Sequence, residues 1–456
     1  GGARATTAGL QSAVVNPEQV PGWMRVPSLA ARPAARQAGD SFTSSPNPWV
    51  RIEVEERGLY RMTWDDLAEL GIDPSEISLD TVRLFCSDFG ELSEDLPPEQ
   101  WPTWMNPCAV RIEGAGGSDV WTEDTEVLFL GNGPDGWREH LGLPASEADP
   151  YYVHPYSDHM TYWMTWGGTF ETEPRRIVEV GEAPGAGPEV TTGGARLHRE
   201  RQRIHESRPR ESNLVWERFF WAQLIARDPA EAASIDLDLE GIVPGGEADL
   251  RVSLWGANWE FSRTPNHRVA MMVDTDTLAI GEWDRVSRAV LTDTLALAPG
   301  EESLELLLAV TPRYYLDWNE DLQEFVVTLH QDNVFLAYVE AAYQRRLDLA
   351  GGVLEVTIPA DSIAAGSVRI TGLAADQEYY FLETSDPYAA EWIAAELTPG
   401  EEGTEARFAL TADGTPAHLL CLRGDQVQSP ATLELRESGT TTVPLRVLRD
   451  PVDYLV

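Results

Sequence analysis

The chain has 456 residues, 34 of them basic and 75 acidic, giving a net charge of -41. Such an acidic protein lacks the basic surface that nucleic acid or an anionic membrane requires, and no stretch approaches the ~18 apolar residues of a membrane span. With 43% hydrophobic residues it can bury ordinary cores, and its length suits roughly two to four domains.

Residues 1–46 are rich in Ala, Pro, Ser and Gly without periodicity and read as a flexible leader. They show neither a charged start nor an apolar run, so a signal peptide is expected to be absent or already removed. A first β domain is expected over 47–180. It opens with Val50, Ile52 and Val54 alternating with Arg51, Glu53 and Glu55, the period of a half-buried strand. Gly58 turns the chain into a second strand at 59–62. Thr63 then caps a short helix with Asp65 and Asp66 in its first turn and Gly71 as its stop. Further strands are expected at 82–85 and 127–130.

Five glycines and two prolines in 181–195 mark a linker. Beyond it, short apolar strands follow one another between Gly, Pro, Asp and Asn, among them 216–222, 250–255, 269–273, 304–310, 325–329, 334–343, 354–358 and 418–422. Long helical periodicity is missing. The pattern predicts a mainly β protein, in which a small N-terminal β domain with a short helix precedes one or two antiparallel β-sandwich modules. A jelly-roll-like module is expected over 196–360, and a continuation or an Ig-like module over 361–448. Helix should occupy less than about a fifth of the residues.

The three cysteines, Cys86, Cys108 and Cys421, are too few for a disulfide framework and lack metal-site spacing. Cys86 and Cys108 can pair if the chain is secreted; equally, all three can be buried thiols. His418 lies three residues from Cys421 and should point to the opposite strand face, so a thiolate–imidazole pair is not expected there. His154, Asp158 and His159 fall within six residues, but without the helical spacing of paired metal-binding histidines. Calcium has two acidic groups to consider, Asp236, Asp238 and Glu240, and Asp317, Glu320 and Asp321. The first alternates with Ile235, Leu237 and Leu239 as a strand's solvent face does, and no cofactor is expected. The sharpest anomaly is basic. Residues 196–210 hold six of the chain's 34 arginines, Arg196, Arg199, Arg201, Arg203, Arg208 and Arg210, either as a basic strand edge or as a docking surface for an acidic partner.

Several segments in order resemble the non-catalytic N-terminal region of gingipain-like cysteine peptidases and the related type IX secretion sortases. They are WVRIEVEERGLYRMTWDDLAELG at 49–71, DTEVLFLGNG at 124–133, the aromatic stretch at 151–168, 204–221 with His205 and Glu206 followed by Trp216 and Trp221, 266–283 where HRV leads to Trp283, FLAYVEAAYQRRL at 335–347 and DPVDYLV at 450–456. Gln344 stands where that family usually has proline. The resemblance implies that 449–456 begins a caspase-like catalytic domain, whose catalytic His and Cys follow that strand; no catalytic residue carries over to this chain. It further implies a bacterial secreted or cell-surface protein, an accessory or prodomain region assisting the folding, latency or substrate positioning of a cysteine peptidase domain, its expected partner. The alternative is a secreted β-sandwich adhesion or carbohydrate-binding protein, with Trp255, Trp259 and Trp318 as candidate platform residues.

Overall fold

The computed structural model describes residues 44–90, 106–181, 184, 187–206, 219–227, 232–261, 263–400, 403–411 and 414–436. Most of the expected leader, Arg208, Arg210, Trp216 and the segment 449–456 lie outside these residues. The fold is mainly β, 52% strand against 6% helix, as the prevailing alternation predicts.

The strand Trp49–Val54 forms where expected, with Val50, Ile52 and Val54 fully buried. It lies second in a five-stranded sheet ordered 432–436, 49–54, 160–165, 83–86, 106–108. Ile52 faces Tyr162 on one side and Leu433 on the other. The strand Thr432–Arg436, expected in the last module, thus completes the first domain's sheet. Gly58–Met62 pairs with Glu126–Gly131, which also pairs with Val110–Glu113, and this three-stranded sheet packs on the first through Val54, Met62, Val127, Phe129 and Tyr162. The helix Trp64–Glu69 starts as the sequence predicts. The Thr63 amide donates to Asp66 Oδ2 at 2.7 Å, and the Asp66 amide returns a bond to Thr63 Oγ1 at 3.4 Å.

The core of the molecule is a ten-stranded sheet that runs through both later modules. Its longest strand, Asn333–Arg346, pairs with Thr192–Glu200 and Glu247–Gly256. Thr192–Glu200 therefore begins inside the expected linker. On one half of this sheet lies a four-stranded sheet of Ala232–Asp238, Ser303–Val310, His267–Val273 and Asp276–Trp283, enclosing Leu237, Leu250, Val252, Val269, Leu306 and Val339. On the other half lies a second four-stranded sheet that includes Ser367–Leu373 and Thr404–Phe408, enclosing Val356, Ile370, Phe381, Phe408 and Cys421.

Continuous apolar runs mark strands buried on both faces. In Glu126–Gly131, Val127 and Phe129 enter the first domain's core, while Leu128 and Leu130 pack with Leu59 against Leu382, Leu420 and Leu422 of the central sheet. That second contact joins the first domain to the last module.

Candidate functional site at the domain junction

The first domain's segment 134–158 lies over strand Thr192–Glu200, where alternation puts Arg196, His198 and Glu200 on one face. The two-residue strands Gly136–Trp137 and Tyr151–Tyr152 pair and set the rings of Trp137 and Tyr151 edge to face, 5.2 Å apart. The Arg196 guanidinium lies 4.0 Å above Trp137 and forms an ion pair with Glu139. His198 stacks on Tyr151 with centroids 4.0 Å apart and 6° between planes. Its Nδ1 is 3.1 Å from Glu340, directly across the sheet, and its Nε2 is 3.3 Å from Glu200. Arg251, on the next strand, flanks the other Glu340 oxygen at 3.7 Å. Burial pushes the His198 imidazole toward neutrality, but its bonds to Glu200 and Glu340 outweigh this and raise its pKa.

Two clefts open beside Arg196 and His198. One, of about 570 Å³, is lined by Asp135, Tyr151, His154, Tyr156, His198 and Glu200. Burial raises the Asp135 carboxyl's pKa, although that carboxylate accepts the His154 amide at 2.7 Å. The other, of about 320 Å³, is lined by Trp137, His140, Arg196, Tyr343, Arg345 and Glu355. His140 has its Nδ1 3.3 Å from Glu355 and its ring 5.0 Å from that of His418. Burial, then the charges of Arg57 and His418, drives its pKa down to about 2, so it stays neutral despite the nearby carboxylate. The larger cleft sets Asp135, Asp158 and Glu200 beside Arg199, with Tyr151 and Tyr156 among its walls.

The sequence's other candidates do not converge on these clefts. Arg196 is engaged within the chain, whereas Arg199, Arg201 and Arg203 are exposed toward and beyond the end of the same strand, with Arg201 5.5 Å above Trp221. His154 Nδ1 accepts the amides of Tyr156 and Ser157, and His159 bonds to Asp158 and Glu53, so the two imidazoles serve separate local networks. Asp236 and Asp238 line the exposed face of Ala232–Asp238, and Asp317 pairs with Arg263 at 2.5 Å. Among the described residues no group of three or more metal-ligating side chains forms.

Cys421 is buried in the last module's core while His418 faces His140 and Thr357, on opposite strand faces as the spacing predicts. The Cys86 and Cys108 sulfurs, on adjacent strands, lie 3.3 Å apart as buried free thiols. Burial, then contact with Cys108, raises the Cys86 thiol's pKa well above normal. Of the candidate platform tryptophans, Trp255 is core, whereas Trp259 and Trp318 are about half exposed.

A buried polar cluster that sequence reasoning missed lies in the middle module. Asp332 accepts from His267 Nδ1 at 2.7 Å, from the Arg268 amide at 2.8 Å and from Arg313 at 3.4 Å. Arg313 also donates to the carbonyls of Pro265 and Asn266, and His330 Nε2 lies 2.8 Å from that Asn266 oxygen. His267 and Asp332 stand 65 residues apart, and no local signal joins them.

No family model and no curated protein sequence matches the chain. Among solved structures, dimeric latent PorU from Porphyromonas gingivalis is similar with a TM-score of 0.59 and 16% identity, over 87% of this chain and 34% of that one. The chain thus spans about a third of that protein's length, and the likeness is one of fold. The infectious bursal disease virus Gx strain structure aligns over 84% of this chain and 66% of its own at 8% identity, but its TM-score of 0.18 is too low to bear on the fold.

Proposed function

We propose that this chain is a non-catalytic accessory region of a secreted gingipain-like cysteine peptidase, which holds or steadies a caspase-like domain. The observation that carries this is the fold shared with part of latent PorU over 87% of the chain. The ordered sequence segments that resemble that family support it. So does the cysteine chemistry, with Cys421 in a core and Cys86 facing Cys108, away from any imidazole contact among the described residues.

The exposed arginines Arg199, Arg201 and Arg203 are the proposed docking surface, since guanidinium forks pair well with a partner's carboxylates. Exposed pairs are worth about 0.2–1 kcal/mol each and are screened by salt, so the three must be changed together. The combined Arg199→Ala, Arg201→Ala, Arg203→Ala variant is expected to bind the peptidase domain several-fold more weakly at low salt, with a shallower salt dependence. Equal affinities and equal slopes would remove the arginines from the interface.

Export also exposes the chain to oxidant, and the Cys86–Cys108 pair is then expected to close, each thiol giving up one hydrogen atom to the compartment's disulfide-forming oxidant. Intact mass of protein recovered from an oxidising compartment should be lower by two hydrogens, and reduction should restore them. A fully reduced mass would leave the pair as packing thiols. The rival reading, carbohydrate binding, draws on Trp259 and Phe261, exposed and 4.4 Å apart. Saturable glycan binding lost in Trp259→Ala would favour it over the peptidase reading.

A further inference from the structure

The ten-stranded sheet parts between two of its strands. Thr192–Glu200 and Val353–Ile358 are neighbours in it, yet they pair only at Gly194 and Thr357. The Leu347 amide bonds to the Thr191 carbonyl, so the odd-numbered residues of Thr192–Glu200 turn their backbone groups to Asn333–Arg346. Those of Gly194, Arg196, His198 and Glu200 point the other way. On the facing strand the Arg423 amide bonds to the Gly352 carbonyl, so the even-numbered residues serve Ala417–Arg423, and Val353, Glu355 and Thr357 point to the gap. A continuous antiparallel ladder would next join Arg196 to Glu355 and His198 to Val353. Neither pair forms.

Gly193 sits at the fork. A Cβ there would lie 3.0 Å from Val356 Cβ and from Ile358 Cδ1, so glycine lets the two strands close at this end. Beyond it they diverge around the cleft of about 320 Å³, lined by Ala195, Arg196 and Leu197 on one side and Val353, Glu355 and Val356 on the other. Arg345 caps the second side. Its Nη2 donates to the Val353 carbonyl at 3.2 Å and pairs with Glu240 at 3.1 Å, while its buried Nε has no partner among the described residues. The first side has no such cap, and among the described residues nothing bonds there to the backbone of Arg196, His198 or Glu200. This open edge runs on past His198 into the larger cleft, and Arg199 lines both. Trp137 beneath Arg196 and Tyr151 stacked on His198 hold it in place, so little order is left to impose on binding.

We propose that this edge takes up an extended, basic segment of another polypeptide as an added strand, its backbone bonding to Arg196, His198 and Glu200. The unpaired N–H and C=O groups of a strand edge are a template for such pairing. From Arg196 to Glu200 is ~13 Å at ~3.3 Å per residue, so a segment of about five residues covers it. The walls set the charge of the occupant. Arg345 is paired with Glu240, Glu355 with Arg57 and Arg196 with Glu139. Asp135, Asp158, Glu200 and Asp238 then stand against Arg199 and His198. A lysine- or arginine-bearing strand is drawn in and an acidic one repelled, the more so by a chain of charge -41.

The test uses the full chain and a fluorescein-labelled peptide, Lys-Val-Lys-Val-Lys-Val, followed by fluorescence anisotropy. Beside it run the same peptide N-methylated throughout and a counterpart with glutamate for lysine. N-methylation keeps every side chain and charge but removes the amides that an added strand donates. Saturable binding is expected, weakened at least ten-fold by N-methylation and by the exchange of lysine for glutamate. Residue-resolved hydrogen exchange should find the amides of Arg196, His198 and Glu200 fast in the free chain and slowed by the peptide. Those of Leu197 and Arg199, bonded to Asn333–Arg346, should be slow throughout. Arg196 and His198 amides already slow in the free chain would show a closed ladder and overturn the proposal. So would no saturation at millimolar peptide, or equal affinity for the N-methylated peptide, which would leave charge attraction alone. None of these outcomes depends on the peptidase reading.

Discussion

Replacing Asp332 with alanine is expected to destabilise the middle module by about 3–5 kcal/mol, the usual cost of leaving a buried charge without its partner. Asp332 is 1% exposed and receives bonds from His267, the Arg268 amide and Arg313, so its removal strands the His267 and Arg268 donors and leaves the Arg313 charge without its carboxylate. The loss should be local. Amide exchange should accelerate in 266–273 and 313–332, while strands Trp49–Val54 and Met160–Thr165 stay protected. Asp332→Asn keeps the shape without the charge and should fall between. A loss under about 1 kcal/mol in the alanine variant would mean that water or local rearrangement satisfies the cluster.

Acidification from pH 7 to pH 5 is expected to remove about 2 kcal/mol through His140 alone. The folded-state pKa of His140 is driven down to about 2, below the ~6.5 of an unfolded chain. The unfolded state therefore takes up the proton first, and stability falls as pH drops below about 6.5. The groups acting on His140 are Arg57, Arg196 and His418, which oppose its protonation, and Glu139 and Glu355, which favour it. His418, also lowered by burial, adds in the same direction. His198 works the other way. Its pKa is raised, so its contribution is complete below about 6.5 and is lost as pH rises through the folded-state value. Denaturant midpoints between pH 5 and 8 separate the two. His140→Gln should flatten the acid limb, and His198→Gln should remove the part of the stability that is lost as pH rises above about 6.5. An unchanged acid limb in His140→Gln would show that His140 titrates as an ordinary histidine.

What the sequence made legible was local. The Trp49–Val54 alternation, the Thr63 cap and the opposed faces of His418 and Cys421 need only neighbours a few residues apart, and each lies where the pattern put it. Sheet membership was not legible, because periodicity reports that a strand has a buried face and not which sheet it joins. That is why Thr432–Arg436 closes the first domain's sheet and Thr192–Glu200 leaves the linker for the central one. The continuous run at 127–130 held more information than a bare strand assignment drew from it, since burial on both faces implies a second packed layer. At the junction, the arginine-rich stretch drew notice as a cluster, yet its members divide. Arg196 is fixed by Trp137 and Glu139, contacts nearly 60 residues away that no spacing reveals. The strand pair Tyr314–Asn319 and Glu324–Leu329 shows the same limit from the other side. Its strict alternation was readable in Tyr314, Leu316 and Trp318, but alternation does not say which face meets solvent.

The proposed role of this chain is to serve a caspase-like peptidase domain. Titrating the purified domain with the chain while following both heat of binding and peptide hydrolysis tests it most directly. Saturable one-to-one association that alters the domain's activity is expected, with no hydrolysis by the chain alone. No measurable association with the peptidase domain encoded with or beside this chain, or hydrolysis by the chain itself that a Cys421→Ala, Cys86→Ala or Cys108→Ala substitution abolishes, would contradict it.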